Sequence, residues 1–162
     1  MNELVLPNDT NVLGNLMGGR LLHLMDVCGA IAAQRHSNKT VVTASVDNVD
    51  FQSAIKLGEV VILESVVNRA FTTSMETEIN VWAEDNTAGV RRKCNRAFYT
   101  FVALDETGRP VPVPPVEPET EEHRQRFDGA ARRRELRLIL SGRLVFDDAQ
   151  HLRNHIAALG GP

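Results

Sequence analysis

The sequence is short of several things that would each define a class of protein. Only two cysteines occur in 162 residues, Cys28 and Cys94, far apart and in apolar surroundings. They form no CxxC pair, which argues against a disulfide framework or a thiolate metal site, and they read as reduced core thiols. The five histidines show no metal-ligand spacing, so no metal is expected. Excess positive charge is missing too: the formal net charge is −3, and no global basic field calls for nucleic acid. No apolar run approaches the ~20 residues of a membrane span. The opening MNELVLPNDTN turns polar by residue 8 and lacks a basic start, which is unlike a secretory signal. No internal repeat is visible. What remains is ordinary: 43% hydrophobic and 24% charged residues, enough for one domain with an appendage and a core of its own. A cytoplasmic protein is expected.

Residues 3–6 (ELVL) read as a short strand, and 7–19, rich in Pro, Asn, Asp and Gly, as a loop. A helix is predicted from about Gly19 to His36, with Gly29, Ala30, Ala32 and Ala33 giving it a small-residue face for close packing on a sheet. From Thr40 the chain turns β-branched. Val42, Ala44 and Val46 alternate with Thr43, Ser45 and Asp47. Strands are expected at 60–71, 74–85 and 90–106, with turns at Asn86–Gly89 and Thr107–Gly108. Met75, Thr77, Ile79 and Val81 alternate with Glu76, Glu78 and Asn80, so one face should be buried and the other wet. One long helix on a large antiparallel sheet is an α+β layout. The sheet's open face would want another partner, so oligomerisation is expected. Residues 110–118, with five of the seven prolines, read as an extended linker. A charged helix and a short second helix, capped by Asp147 or Asp148, follow. The expected division is 1–117 and 118–162.

Few residues could carry chemistry. Gly18 and Gly19 leave backbone N–H groups open at a helix start, where an anion or a developing oxyanion could sit; they could equally be a tight loop. Asp26 shares a stripe with Leu22, Gly29 and Ala33 on the apolar face, and burying an unpartnered carboxylate costs several kcal/mol. Gly29 one turn on would leave space beside it. Asp26 is thus a general base or nucleophile in a ligand crevice, or it reaches solvent or a salt bridge on a slightly rotated helix. Asn11 could donate to a carbonyl oxygen or stabilise a turn. His23 falls on the polar edge, without a third member for a relay. Arg132–Arg134 with Arg137, or Arg91–Lys93, could grip phosphates, or pair with Glu119, Glu121, Glu122 and Glu135 on a solvated face.

Together the stretches DTNVLGNLMGGRLLHLMDVCGAIAA, VTASVDNVDFQSAIKLGEVVILESVV, NRAFTTSMETEINVWAED and RRKCNRAFYTFVALDETGRPVPVPP resemble the hotdog-fold acyl-CoA thioesterases, in their cytosolic acyl-CoA hydrolase group. The resemblance covers roughly residues 5–118 and continues more loosely into the Arg-rich tail. It implies a hotdog fold: a long central helix wrapped by an antiparallel sheet, here with a C-terminal helical tail. It also implies sheets joined edge to edge in a homodimer, active sites at that interface, and dimers gathered into a hexamer.

By resemblance Asp26 matches the catalytic carboxylate and Asn11 the asparagine contributed by the facing subunit. Ala44, Ser45 and Val46, and Thr73, Ser74 and Met75, match segments that contact CoA. Arg133 or Arg134 falls near a basic position that meets CoA phosphate. Asn11 and the N–H groups near Gly18–Gly19 would polarise the thioester carbonyl. Asp26 would deprotonate water or form a transient anhydride. No cofactor is implied, since CoA is part of substrate and product. This chain has one unit where some animal members have two, but with both Asn11 and Asp26 present a homodimer could form two equivalent sites. A hotdog hydratase or dehydratase is the competing enzyme reading, although it would want a His beside the acid. A non-catalytic acyl-CoA sensor is the competing binding reading. Leu22, Met25 and Phe51 are candidates for setting acyl chain length.

Overall fold

The computed structural model describes residues 1–160, in two compact units that meet between Pro114 and Pro115. The first contains β1 (Asn2–Leu4), a 3-10 turn (Pro7–Asp9), α1 (Gly18–Ser37), β2 (Thr40–Val46), β3 (Val60–Ala70), β4 (Ser74–Asp85) and β5 (Val90–Leu104). The strands form one antiparallel sheet in the order β1-β3-β4-β5-β2. α1 touches β2, β3, β4 and β5, so it lies across the sheet in the hotdog arrangement that the resemblance implied. Three strands carry an extra residue: the register slips at Ala44 in β2, Asn68 in β3 and Cys94 in β5. Such bulges bend a strand and raise its twist, which lets a sheet curl around a helix.

The helix ends as its residues direct. Asn38 adopts φ 51°, ψ 34° and its amide donates to the Gln34 carbonyl, closing α1 with a left-handed cap next to Arg35 and His36. Leu21, Leu24, Met25, Cys28 and Ala33 are buried in one core with Val61, Leu63, Ile79, Val81 and Phe101. Asp26 stands beside this stripe, half-buried, rather than within it. Gly29 does not leave the space expected of it. A Cβ built there would lie 2.9 Å from the Phe101 ring and 3.1 Å from Thr77 Oγ1, so sheet side chains occupy the gap. Residues past β5 also serve the core: Val111 and Val113 donate to the Ala103 and Thr72 carbonyls, and His36 Nε2 meets the Pro114 carbonyl at 2.8 Å.

Two expectations about faces change. In β2 the valines at 42 and 46 are exposed while Val41 and Ser45 are half-buried, because β2 is an edge strand whose register slips at Ala44. In β4 the supposedly wet face is not wet: Glu76 is 0% exposed and Glu78 is buried as well. Asn68 Nδ2 donates to both carboxylates, at 3.2 and 3.5 Å, and Asn80 Nδ2 donates to Glu78 at 3.1 Å.

The second unit holds α2 (Glu121–Leu140), a 3-10 turn (Phe146–Asp148) and α3 (Gln150–Leu159). Thr120 Oγ1 caps α2 by accepting from the His123 amide. Neither Asp147 nor Asp148 caps α3, since both are spent in the 3-10 turn. Glu135 of α2 does that work instead, accepting from the His151 and Leu152 amides at 3.1 and 2.7 Å. A carboxylate at a helix N-terminus satisfies open N–H groups and meets the favourable end of the dipole.

Gly29→Ala tests the helix–sheet contact. Overpacking costs about 1–3 kcal/mol, against at most about 1 kcal/mol regained in helix propensity. A lowered urea midpoint with an unchanged slope is the expected outcome. A raised midpoint would mean that Phe101 moves aside without cost.

Candidate active site

Asp26 is placed by α1 at the rim of the core, next to the open edge of the sheet. Thr43, on edge strand β2, donates its Oγ1–H to Asp26 Oδ1 at 2.5 Å. A short hydroxyl–carboxylate bond of this kind fixes the rotamer of the acid. One oxygen is thereby engaged and the other left for a second task. Beneath the carboxylate lies Tyr99, whose phenol donates to the Leu22 carbonyl at 3.3 Å and whose ring stacks near Phe101 with centroids 6.2 Å apart. Burial, and after it the negative charge of Asp26, push the Tyr99 phenol up to about 12. A group that stays neutral below an anion adds no competing charge.

The start of α1 lacks a side-chain cap. Met17 precedes it in extended conformation, with no capping hydrogen bond from its side chain. The first N–H groups, those of Gly18, Gly19 and Arg20, belong to the turn that has no intrahelical partner. A Cβ at Gly19 would meet nothing within 4 Å, so the backbone there can be approached closely. At Gly18 a Cβ would lie 3.3 Å from Phe51 Cζ. Arg20 ties this helix start to the preceding loop through Asp9 at 2.9 Å and to β1 through Glu3 at 3.4 Å.

Asn11 sits in that loop, and its Oδ1 accepts from the Leu13 and Asn15 amides at 2.9 and 3.2 Å. Within one chain the side chain therefore acts as a turn former, its amide donors directed away from the carbonyl oxygen so used. Among the described residues no hydrogen bond joins Asn11 to Asp26. The loop tip beyond it, Val12 and Leu13, is exposed. Ala44 is the bulged residue of β2, with Ser45 and Val46 after it on the edge. Thr73 ends the β3–β4 turn and Ser74 begins β4, and the Thr73 carbonyl accepts from the Ala103 amide. Met75 is fully buried in the core, so its side chain is not presented to a ligand in this structure. Arg133 and Arg134 are half-buried on α2 in the second unit. Arg92, offered as a phosphate grip, is committed elsewhere, to the Glu59 carboxylate, the Ser53 hydroxyl and the Ala54 carbonyl.

Sequence reasoning missed three residues here: Thr43 as the partner of Asp26, Tyr99 beneath it, and Arg92 as a loop anchor. The strand pattern contained Thr43 and Tyr99 but carried no signal of their pairing. Among the described residues no group of three His, Cys, Asp or Glu side chains could hold a metal, and no helix is long and apolar enough to cross a membrane.

Comparison with known proteins identifies the family and the fold. Residues 13–90 match the family model of the thioesterase superfamily. The chain is 47% identical over 118 residues to YkhA, an uncharacterised acyl-CoA thioester hydrolase of Bacillus subtilis, covering 73% of this chain and 69% of that protein. A structure of an apo hexameric acyl-CoA thioesterase superposes with TM-score 0.84 at 42% identity, over 87% of this chain and 90% of the other. The acyl-CoA hydrolase of Staphylococcus aureus, solved with butyryl coenzyme A, coenzyme A and its disulfide, gives TM-score 0.79 at 36% identity over 88% of each chain. The chain spans a smaller share, 23% to 34%, of the mouse and rat acyl-CoA thioesterases it matches.

Tyr99 provides a direct probe, because it is the single tyrosine. Its absorbance should titrate at about 12 and contribute stability fully below its ordinary value of 10.0, lost as pH rises through about 12. Asp26→Asn should lower that midpoint without restoring 10.0, since burial is the larger cause. A midpoint indifferent to Asp26→Asn would place the carboxylate away from the phenol.

Proposed function

The chain belongs to the thioesterase superfamily, among its acyl-CoA thioester hydrolases, and from that premise we propose that it hydrolyses an acyl-CoA at a site built on Asp26. The observation that carries this reading is the half-buried carboxylate held by Thr43 at the open sheet edge. One further correspondence supports it. In the Staphylococcus aureus hydrolase an aspartate, an asparagine fifteen positions before it and a threonine seventeen after it have each been replaced by alanine for structural and biochemical study. Asn11, Asp26 and Thr43 stand at those same intervals in this chain.

Thioester hydrolysis asks little of a protein. Water adds its oxygen to the acyl carbon, the C–S bond breaks, and the CoA thiolate leaves and takes up a proton. Asp26 removes the proton from the attacking water, or attacks the carbonyl itself to give an anhydride that water then opens. Negative charge gathers on the carbonyl oxygen in either case. The N–H groups at the start of α1, together with the Asn11 amide of the facing subunit, answer it, each such donor being worth about 3 kcal/mol. Ala44–Val46 and the Thr73–Met75 backbone line the approach of CoA, and Arg133 or Arg134 meets its phosphate. CoA enters with the substrate and leaves as product, so no cofactor is needed.

The same surfaces support an assembly. β2 is an open edge with exposed Val42 and Val46, and Val12 and Leu13 project from the Asn11 loop. Two copies that join their β2 edges cover these groups and bring each Asn11 toward the other copy's Asp26. Dimers gather further into a hexamer, as the hexameric neighbours do. The relatives named cytosolic hydrolases support a cytoplasmic setting.

Thiol release from acyl-CoAs of increasing chain length tests the activity. Asp26→Ala should cost at least about a hundredfold, and Asn11→Ala about a hundredfold or more. Mixing the two inactive variants under conditions of subunit exchange should restore part of the activity, because a mixed dimer contains one complete site. Failure of the mixture to recover, with exchange demonstrated, would put both residues in one chain. Light scattering that gives a monomer mass at all concentrations would remove the shared site altogether.

A further inference from the structure

We propose that Phe51 is the cover over the reacting end of the bound thioester, and that Arg92 is the positioning residue that holds it over the start of α1. This rests on the acyl-CoA hydrolase reading and adds a part to it.

Phe51 is 54% exposed, on the loop between β2 and β3. The end of its ring points at the helix: Cζ lies 3.3 Å, and Cε1 and Cε2 3.6 and 3.7 Å, from the place a Cβ would take at Gly18. A phenylalanine left 54% exposed, with its ring tip against a glycine, is not there to fill the core. Its flank borders the space in front of the uncapped amides of α1.

The loop is fastened more firmly than an idle surface loop requires. Arg92 Nη1 and Nη2 each bind one oxygen of Glu59 at 2.7 Å. Arg92 Nη2 also donates to the Ala54 carbonyl at 2.6 Å, and its Nε donates to Ser53 Oγ at 3.3 Å. Asn95 Nδ2 donates to the Asp50 carbonyl, one residue before Phe51, at 2.8 Å. The hydrogen bond from Arg92 is the first cause holding the Glu59 carboxyl below the usual carboxylate range.

The sheet is built to allow this double grip. Residues 92 and 95 of a regular strand would face opposite sides. The extra residue at Cys94 changes that: Arg92 pairs with Ala83 and Asn95 with Val81, both core-facing positions of β4. The bulge therefore turns both anchors toward the helix side, where the loop passes. Re-aiming a side chain is a recurrent use of such bulges.

The chemical gain lies in water exclusion. A thioester carbonyl seated on the α1 amides competes with bulk water for those N–H groups. An apolar ring across the opening removes the competitor and strengthens what remains. Because the ring stands at the amide end, its effect belongs to the chemical step rather than to recognition of the distal acyl chain.

The test uses the full-length protein and an acyl-CoA series from acetyl to decanoyl. Phe51→Ala is expected to lower kcat roughly tenfold at every chain length with little change in KM, and Phe51→Leu, which keeps an apolar cover, to retain most of it. Arg92→Lys preserves charge but not the forked geometry, and should lower kcat in the same way. In the Phe51→Ala background it should add no further loss, since it acts through that ring. An unchanged kcat in Phe51→Ala, or a full additional loss in the double variant, overturns the proposal. So does a loss confined to KM or growing with chain length. If Arg92→Lys does not fold, the Ala and Leu variants at the half-exposed position 51 decide alone. Asp26→Ala separates the two readings. An active parent, a silent Asp26→Ala and a fully active Phe51→Ala would sink only this proposal, whereas an inactive parent sinks both.

Discussion

The spacing between α1 and the sheet governs the rest of the N-terminal unit, and it is set at Gly29. With no Cβ there, the Phe101 ring rises into contact with the helix backbone, and Leu21, Leu24, Met25, Cys28 and Ala33 reach the strands beneath. Side chains on that stripe are buried; those one position round are not. Asp26 is one such neighbour. Its partial burial follows from close helix packing combined with a narrow sheet edge, and so does its meeting with Thr43 on the last strand. A larger residue at 29 would lift the helix and move the carboxylate away from β2. The glycine acts on the site through packing, from one helical turn away.

The same helix offers its first turn as a positive end, and two arginines hold the loops around it. Arg20 draws in the preceding loop through Asp9 and pairs with Glu3 of β1, while Arg92 draws in the β2–β3 loop through Glu59. Both pairings are partly solvated and contribute modestly to stability as isolated bonds. Their geometric effect is larger. Without them two polar, irregular segments would be free to fold over the open amides. A helix N-terminus left without a side-chain cap is unfavourable by about 1 kcal/mol relative to a capped one. Its retention beside two tethered loops fits a position reserved for another group.

Much of this was legible in the sequence because local patterns and tertiary demands agree there. The 74–85 strand, the glycine turns that follow β4 and β5, and the extent of α1 all follow from alternation, turn residues and a small-residue helix face. The failures share a physical cause: alternation reports that two faces differ, but not what covers each. In β2 the exposed valines belong to an edge that a single chain leaves open. In β4 the glutamates at 76 and 78 look solvated by type, yet are buried with Asn68 as a donor. Asp147 and Asp148 look like caps, but a carboxylate from a different helix reaches α3 first. Asn11 and Asp26 were visible as candidates through resemblance; the Thr43 bond and the Arg92 anchor were not, since each joins residues far apart in the chain.

On the proposed reading, the incompleteness of the single chain is itself functional. Asn11 uses its carbonyl oxygen to shape its own loop, which leaves its N–H donors for a neighbour. The open edge of β2 lies next to Asp26, and exposed valines and a leucine surround both features. Covering that apolar surface and completing the donor set for the thioester carbonyl would then be one event. An isolated chain would hold an aligned carboxylate without the Asn11 donor of a facing subunit, and would lose the rate factor that the missing donor supplies. Coupling of this kind gives the fold a reason to keep an exposed edge strand, which is otherwise an aggregation hazard.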